Sequence, residues 1–422
     1  KIWGNRRVLQ KTFVFPFKLA TALGGINVTE RNDGSSINTC VRNLGYAIFF
    51  ILLTSAICPV ATGCFESIIS FGDSLADTGN LLRLSQSNVV KPRCSRIPYG
   101  ETFFHHPTGR YSDGRLVVDF LAESFGLPLL QPSVGGENSN LSGQSFEKGV
   151  NFAVAGATAL DHEYLEARGI YNPLTNASLG VQMDWVKRFL GTRPDGKRYV
   201  QKSLILLGEI GGNDYNHALT LGMSLEVLQS LVPTVVEYIG STLVELIKLG
   251  AVTILVPGNF PIGCAPVYLT QFKSDDETNY YDPQTGCINW LNEFSRYHNG
   301  LLEKELNRIR ELHPRISIIY ADYYNAALQF FISPNEFGFG KGSVLSACCG
   351  GGGLYNYNVS VLCSFPSATC CEDPSLYVSW DGVHLTEAAY RFLAQGLLKG
   401  NYTVPQLSTI CSSSRIPGFY EF

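Results

Sequence analysis

The stretch SIISFGDSLADTGN, residues 67–80, decides the fold. Its first five residues form a short run of the length and apolar character of a strand buried on both faces. The run stops at Gly72-Asp73-Ser74, a tight turn leading toward a helix. A serine placed there presents its Oγ at the sheet edge together with an unpaired backbone N–H, and both are useful for acyl transfer. The pattern is not the G-x-S-x-G elbow, because residue 76 is Ala and the serine lies at the start of the domain instead of its middle. A lone Gly-Asp-Ser tripeptide also reads as an ordinary turn, so the rest of the chain has to supply the case.

Four further apolar runs have strand length: VNFAV (150–154), SLILL (203–207), VTILV (252–256) and ISIIY (316–320). Between them, residues 116–125, 179–190, 225–249 and 289–312 show helical spacing of apolar positions. A final helix over 386–398 carries Thr386 as its N-cap. This alternation predicts an α/β domain, a parallel sheet covered by helices on both faces. Each run ends in a turn bearing Gly, Asn or Asp: Ser74, Gly156, the segment 208–213, Asn259 and Asp322. In such sheets the ligand crevice lies at the carboxyl ends of the strands, so the chemistry belongs there.

A serine hydroxyl needs a neighbouring base. Of seven histidines, His384 alone has an orienting carboxylate close in sequence, in SWDGVHLTEAAY (379–390), where Asp381 precedes it by three positions. In such a turn the carboxylate accepts from one ring nitrogen while the other faces the serine. His105 and His106 fall in a polar loop, and His162, His217, His298 and His313 flank or occupy helices, so these six are assigned surface or capping roles. Oxyanion donors are also required. Gly156, closing GVNFAVAG, can bring a backbone N–H close, and Asn213 in GEIGGNDY can offer a side-chain amide. The Ser74 N–H is the third candidate.

With 422 residues, 45% of them apolar and 12% aromatic, the chain can bury a large core, and its net charge of −4 comes without a basic patch. Nucleic acid is therefore excluded as a partner. The chain begins at Lys1, and residues 1–40 are set aside as upstream or leader sequence. Arg42 and the apolar run LGYAIFFILLTSAIC (44–58), followed by Ala61, Thr62 and Gly63, have the form of a secretory signal. No other segment is expected to span a membrane. The expected organisation is thus leader plus signal over 1–63 and a single domain over 64–422. Ten of the twelve cysteines follow residue 63, which predicts an oxidising compartment and several disulfides. They occur as adjacent pairs without C-x-x-C spacing, so no metal is expected. Asn140, Asn176, Asn358 and Asn401 each open an N-x-S/T sequon, in agreement with secretion.

Taken in order, FGDSLADTGN, GVNFAVAGATAL, GGNDY and WDGVHLT resemble the blocks of the GDSL esterase/lipase family, the SGNH hydrolases. PYGETFFHHPTGRYSDGRLVVDFLA (98–122), VPGNFPIGCAP (256–266) and CCGGGGLYN (348–356) are similar to its plant branch. The wording FHHPTGR and NFAVAGATAL resembles the group containing acetylajmalan esterase and sinapine esterase. The resemblance implies a three-layer α/β/α sandwich with a flavodoxin-like parallel sheet and ester hydrolysis without a cofactor. It implies Ser74 as nucleophile, His384 as base with Asp381 as its partner, and Ser74, Gly156 and Asn213 as the oxyanion hole. Relatives have Gly-Gly or Ser-Gly where this chain has Ala155-Gly156, so Ala155 competes for the backbone-donor role. The implied substrates are acetyl or other acyl esters of small plant metabolites, and the implied location is the apoplast or vacuole. An acyltransferase using the same triad and a catalytically idle secreted binding or defence protein are the alternatives.

Overall fold

The computed structural model describes residues 64–134, 146–275 and 279–411. The leader and signal expected over 1–63 and the Asn140 sequon lie outside the described residues. Strands β1 (Ser67–Phe71), β2 (Gly149–Asn151), β3 (Ser203–Leu207), β4 (Thr253–Pro257), β5 (Ser317–Ala321) and β6 (Thr403–Val404) form one sheet in the order β2-β1-β3-β4-β5-β6. The first five are parallel, with Ile69 beside Ile205, Ile205 beside Ile254 and Ile254 beside Ile318. This is the flavodoxin-like order, whose switch point falls between β1 and β3. The short β6 pairs antiparallel to β5 at the edge.

Alternation along each buried strand sends its side chains to two separate cores. Ile69, Phe71, Ile205, Leu207, Ile254 and Ile318 meet α2 (Leu179–Gly191), α4 (Leu225–Leu249) and α5 (Asn289–Leu312) on one face. Ile68, Leu204, Leu206, Leu255 and Ile319 meet α1 (Val117–Ser124), α6 (Tyr323–Ile332) and α7 (Glu387–Leu398) on the other. The result is a three-layer α/β/α sandwich. Helix α4 is the one described helix whose length and composition would let it cross a membrane, with a mean hydropathy of 1.3. The expectation that no second segment would qualify is corrected here: α4 is apolar because Leu228, Val232, Val235, Ile239, Leu243 and Leu246 form a buried stripe against the sheet.

The predicted strand over 150–154 is shorter than its apolar run. Beyond Asn151 the Phe152 and Val154 N–H groups still donate to the Ser70 and Gly72 carbonyls of β1 at 2.7 and 3.1 Å, while the opposite carbonyls of Asn151 and Ala153 accept from the Asn80 side-chain amide at 2.9 and 2.8 Å. The segment Gly212–Thr220, helix α3, was not expected from its glycines. Among the described residues four disulfides form, Cys64–Cys411, Cys264–Cys287, Cys348–Cys371 and Cys349–Cys363, with Cys94 and Cys370 as thiols. The sulfurs of Cys349, Cys363 and Cys370 lie within 4.8 Å of one another, but two of them are joined in a disulfide, so the cluster offers one thiolate.

Helix α1 is anchored by a buried ion pair. Asp119 accepts from Arg110 Nη2 and Nε at 2.7 and 2.8 Å and from the Leu116 N–H at 2.9 Å. Removing one partner strands the other's charge, so Arg110→Met is expected to cost about 3–5 kcal/mol in chemical denaturation. Adding Asp119→Leu should recover part of that loss, and a double variant no better than the single one would contradict this account.

Candidate active site

The carboxyl ends of β1 and β3 converge at the switch point, and the turns that follow them build the site. Gln182 of α2, fully buried, holds Gly72 from both sides: its Oε1 accepts from the Gly72 N–H at 3.0 Å and its Nε2 donates to the Gly72 carbonyl at 2.8 Å. Asp73 then turns inward, accepting from the Leu75 N–H at 2.9 Å and from Asn213 Nδ2 at 2.8 Å. Ser74 is left facing a cleft of 820 Å³. Its Oγ lies 2.9 Å from His384 Nε2.

The histidine is held on every side. Its Nδ1 lies 2.8 Å from Asp381 Oδ2, and its backbone N–H donates to Asp381 Oδ1 at 2.9 Å. Tyr99 donates its hydroxyl to the same carboxylate at 2.7 Å. The Tyr111 ring packs 4.7 Å from the imidazole, centroid to centroid. Burial would push the Asp381 carboxyl up, but His384, Arg93 and the donated N–H hold it well below the usual carboxylate range. The turn itself needs Gly382, whose φ of +95° is disfavoured for other residues and whose added Cβ would meet the Tyr357 ring at 2.3 Å. The bonds of Cys348 and Cys349 N–H groups to the Ser379 and Trp380 carbonyls, at 2.9 and 2.7 Å, tie this turn to the disulfide-bearing segment.

The structure separates the two competing backbone donors. The Ala155 N–H is consumed by Asp77 Oδ2 at 2.8 Å, whereas among the described residues the Gly156 and Ser74 N–H groups have no acceptor. Gly156 adopts φ +84°, its carbonyl accepts from Asn172 Nδ2 at 2.8 Å, and Ala155 and Gly156 both line the cleft. Asn213 also reaches the cleft, but its Nδ2 is engaged with Asp73 Oδ2 and with the Ala157 carbonyl at 3.0 Å. It can meet a developing oxyanion only by releasing one of these partners.

The remaining histidines sort less simply than expected. His105 and His106 are exposed. His298 is not a surface residue: it is 1% exposed, its Nδ1 lies 2.9 Å from the Tyr215 hydroxyl, and burial lowers its pKa to about 4. It sits on the core face of α5, which the helix period places inward. His217 lines the cleft, with burial lowering its pKa and a hydrogen bond to the Gly156 backbone raising it. Sequence reasoning also missed Tyr99, Tyr111, Gln182 and Asp77. All four stood in segments already singled out, Asp77 in the opening stretch itself, but the contacts that matter reach across the fold and are not visible locally.

Three carboxyls beside the site are buried without a cation. Burial raises Asp73 to about 6 and Glu209 well above the usual range, the two hydrogen-bonded to each other. Burial raises Asp214 to about 7, although it accepts from the Ala159 and Leu160 N–H groups at 2.8 and 3.0 Å.

A flavodoxin-like sandwich with serine, histidine and aspartate in hydrogen-bonded series at its switch point defines the SGNH class of hydrolase. The family model for GDSL-like lipase/acylhydrolase matches residues 68–397, and the chain belongs to that family. It is 52% identical over 375 residues to the GDSL esterase/lipase At1g28590 of Arabidopsis thaliana, covering 87% of this chain and 91% of that one. It is 50% identical over 379 residues to At1g28570 of the same plant, covering 87% and 95%. By class the protein is a carboxylic ester hydrolase.

Two outcomes follow. Tyr99→Phe removes a donor to a buried carboxylate and is expected to lower both stability, by about 1–2 kcal/mol, and turnover; an unaltered denaturation midpoint would show the bond to be idle. For Asp214, the folded value of about 7 lies above the ordinary 3.8, so between these pH values the folded state keeps a proton that the unfolded state releases. Stability contributed by this group is therefore present at low pH and falls as pH rises from about 4 to about 7. The difference in midpoint between Asp214→Asn and the unchanged protein should vary across this window and be flat above it.

Proposed function

We propose that the protein hydrolyses esters through an acyl-serine intermediate, with Ser74 as nucleophile, His384 as general base and acid, and Asp381 orienting the imidazole. The observation that carries the reading is the 2.9 Å approach of Ser74 Oγ to His384 Nε2, with Asp381 on the opposite ring nitrogen. His384 takes the hydroxyl proton as Oγ attacks the carbonyl, and the oxyanion meets the Ser74 and Gly156 N–H groups and, after an exchange of partners, Asn213. The imidazolium then gives its proton to the departing alcohol. Water activated by the same ring releases the acid.

We further propose that the domain begins at residue 64, after upstream leader sequence plus a secretory signal over 1–63, and enters the secretory pathway for the apoplast or vacuole. Four disulfides and the exposed sequon residues Asn176, Asn358 and Asn401 support this. The cleft suits small acyl esters of plant metabolites, in line with the group of acetylajmalan and sinapine esterases, because apolar side chains such as Leu174, Phe260 and Val383 line it beside the reacting groups. Ser74→Ala and His384→Ala should each lower kcat for p-nitrophenyl acetate on the order of 10³-fold or more. Full activity of purified Ser74→Ala would end this proposal.

A further inference from the structure

The cleft carries cations that the hydrolytic steps do not use. Lys91, Arg93 and Arg96 all line it, and among the described residues none forms an ion pair with a carboxylate. Lys91 Nζ is fixed by the carbonyls of Ser85, at 3.0 Å, and Gln86, which anchor the ammonium without neutralising it. The Arg93 guanidinium, partly buried, donates to no acceptor among the described residues. The acidic lining residues are Asp73 and Glu209, which are buried and share a hydrogen bond. Three lining cations thus stand against two acids that already face each other.

Arg93 also has a defined side. Its charge acts on Tyr99, Asp381, Tyr111 and Tyr357, and Tyr99 bonds Asp381 while Tyr111 packs on the His384 ring. Arg93 therefore lies toward the Asp381–His384 end of the cleft. The imidazolium protonates the departing alcohol, so the alcohol portion of a bound ester extends toward the imidazole side. We infer that Arg93, supported by Lys91 and Arg96 at the rim, is an anion-recognition subsite that selects esters whose alcohol portion bears a carboxylate. The guanidinium fork matches a carboxylate in two parallel hydrogen bonds, and a partly enclosed cleft screens the pair less than open water does. The inference rests on the Ser74–His384 mechanism proposed above and adds the substrate class to it.

Three acetyl esters that differ only in the para substituent of the phenol test it: para-acetoxybenzoate, para-acetoxybenzamide and para-acetoxyphenyltrimethylammonium. Phenol release by the purified protein is measured by chromatography, and each kcat/KM is divided by the ester's own hydroxide-catalysed rate to remove differences in intrinsic reactivity. The expected order is carboxylate, then carboxamide, then ammonium, with about tenfold or more between the extremes. Arg93→Met should reduce the carboxylate-to-carboxamide ratio about tenfold, chiefly through KM, and Arg93→Lys should retain part of it. A flat or reversed order in the unchanged protein overturns the inference. So does an Arg93→Met protein that slows all three esters by one factor, since that is the signature of an effect exerted only through Asp381. Should Arg93→Met not fold, the order in the unchanged protein and competitive inhibition by para-hydroxybenzoate over para-hydroxybenzamide decide the matter. Labelling of Ser74 by a fluorophosphonate with a flat order removes the subsite alone, whereas absence of both labelling and turnover removes the mechanism with it.

Discussion

The hydrogen bond between Ser74 Oγ and His384 Nε2 joins residues 310 positions apart, and the architecture around it keeps that one distance short. On the serine side the constraint runs through buried polar contacts: Gln182 on Gly72, Asn213 on Asp73, and Asp77 on the N–H groups of Gly79, Asn80, Leu81 and Ala155. On the histidine side it runs through Asp381, Tyr99 and Tyr111. Arg115 adds to it from outside, binding Glu387 at 2.9 Å and so fixing the start of the helix that follows the histidine. Each contact is worth little alone in net stability, but unsatisfied partners in so dry a site would be costly.

Buried carboxyls at this end of the sheet divide by what faces them. Asp381 has an imidazole, a tyrosine hydroxyl and a nearby arginine, and these favour its ionised form over the cost of desolvation. Asp73, Glu209 and Asp214 have backbone and amide donors or each other, and there desolvation wins. The same distinction bears on the cleft. Its acids Asp73 and Glu209 are buried against each other, while Lys91, Arg93 and Arg96 line the cleft with no ion pair among the described residues.

The sandwich was readable because burial on both faces demands continuous apolar runs, as in SLILL at β3, and because helices α4 and α5 repeat their apolar positions over many turns. The run at 150–154 follows β1 over its length through the Phe152 and Val154 N–H groups, but its outer edge is taken by the side chain of Asn80, distant in sequence, in place of a further strand. The burial of His298 was legible from the apolar stripe it shares with Leu291, Phe294, Leu302 and Ile309, whereas its Tyr215 partner is set by the fold.

The residue types by themselves determined the alternating α/β order, the position of Ser74 after the first strand and the pairing of Asp381 with His384, because these depend on periodicity and on separations of a few residues. The tertiary structure alone decided which backbone N–H remains available, by giving that of Ala155 to Asp77 and leaving that of Gly156 open to the cleft. It also decided that Arg93 lines the cleft near Asp381 without forming an ion pair among the described residues. Both outcomes turn on competition among partners hundreds of positions or several elements apart, and such competition is settled by packing geometry, which local sequence does not encode.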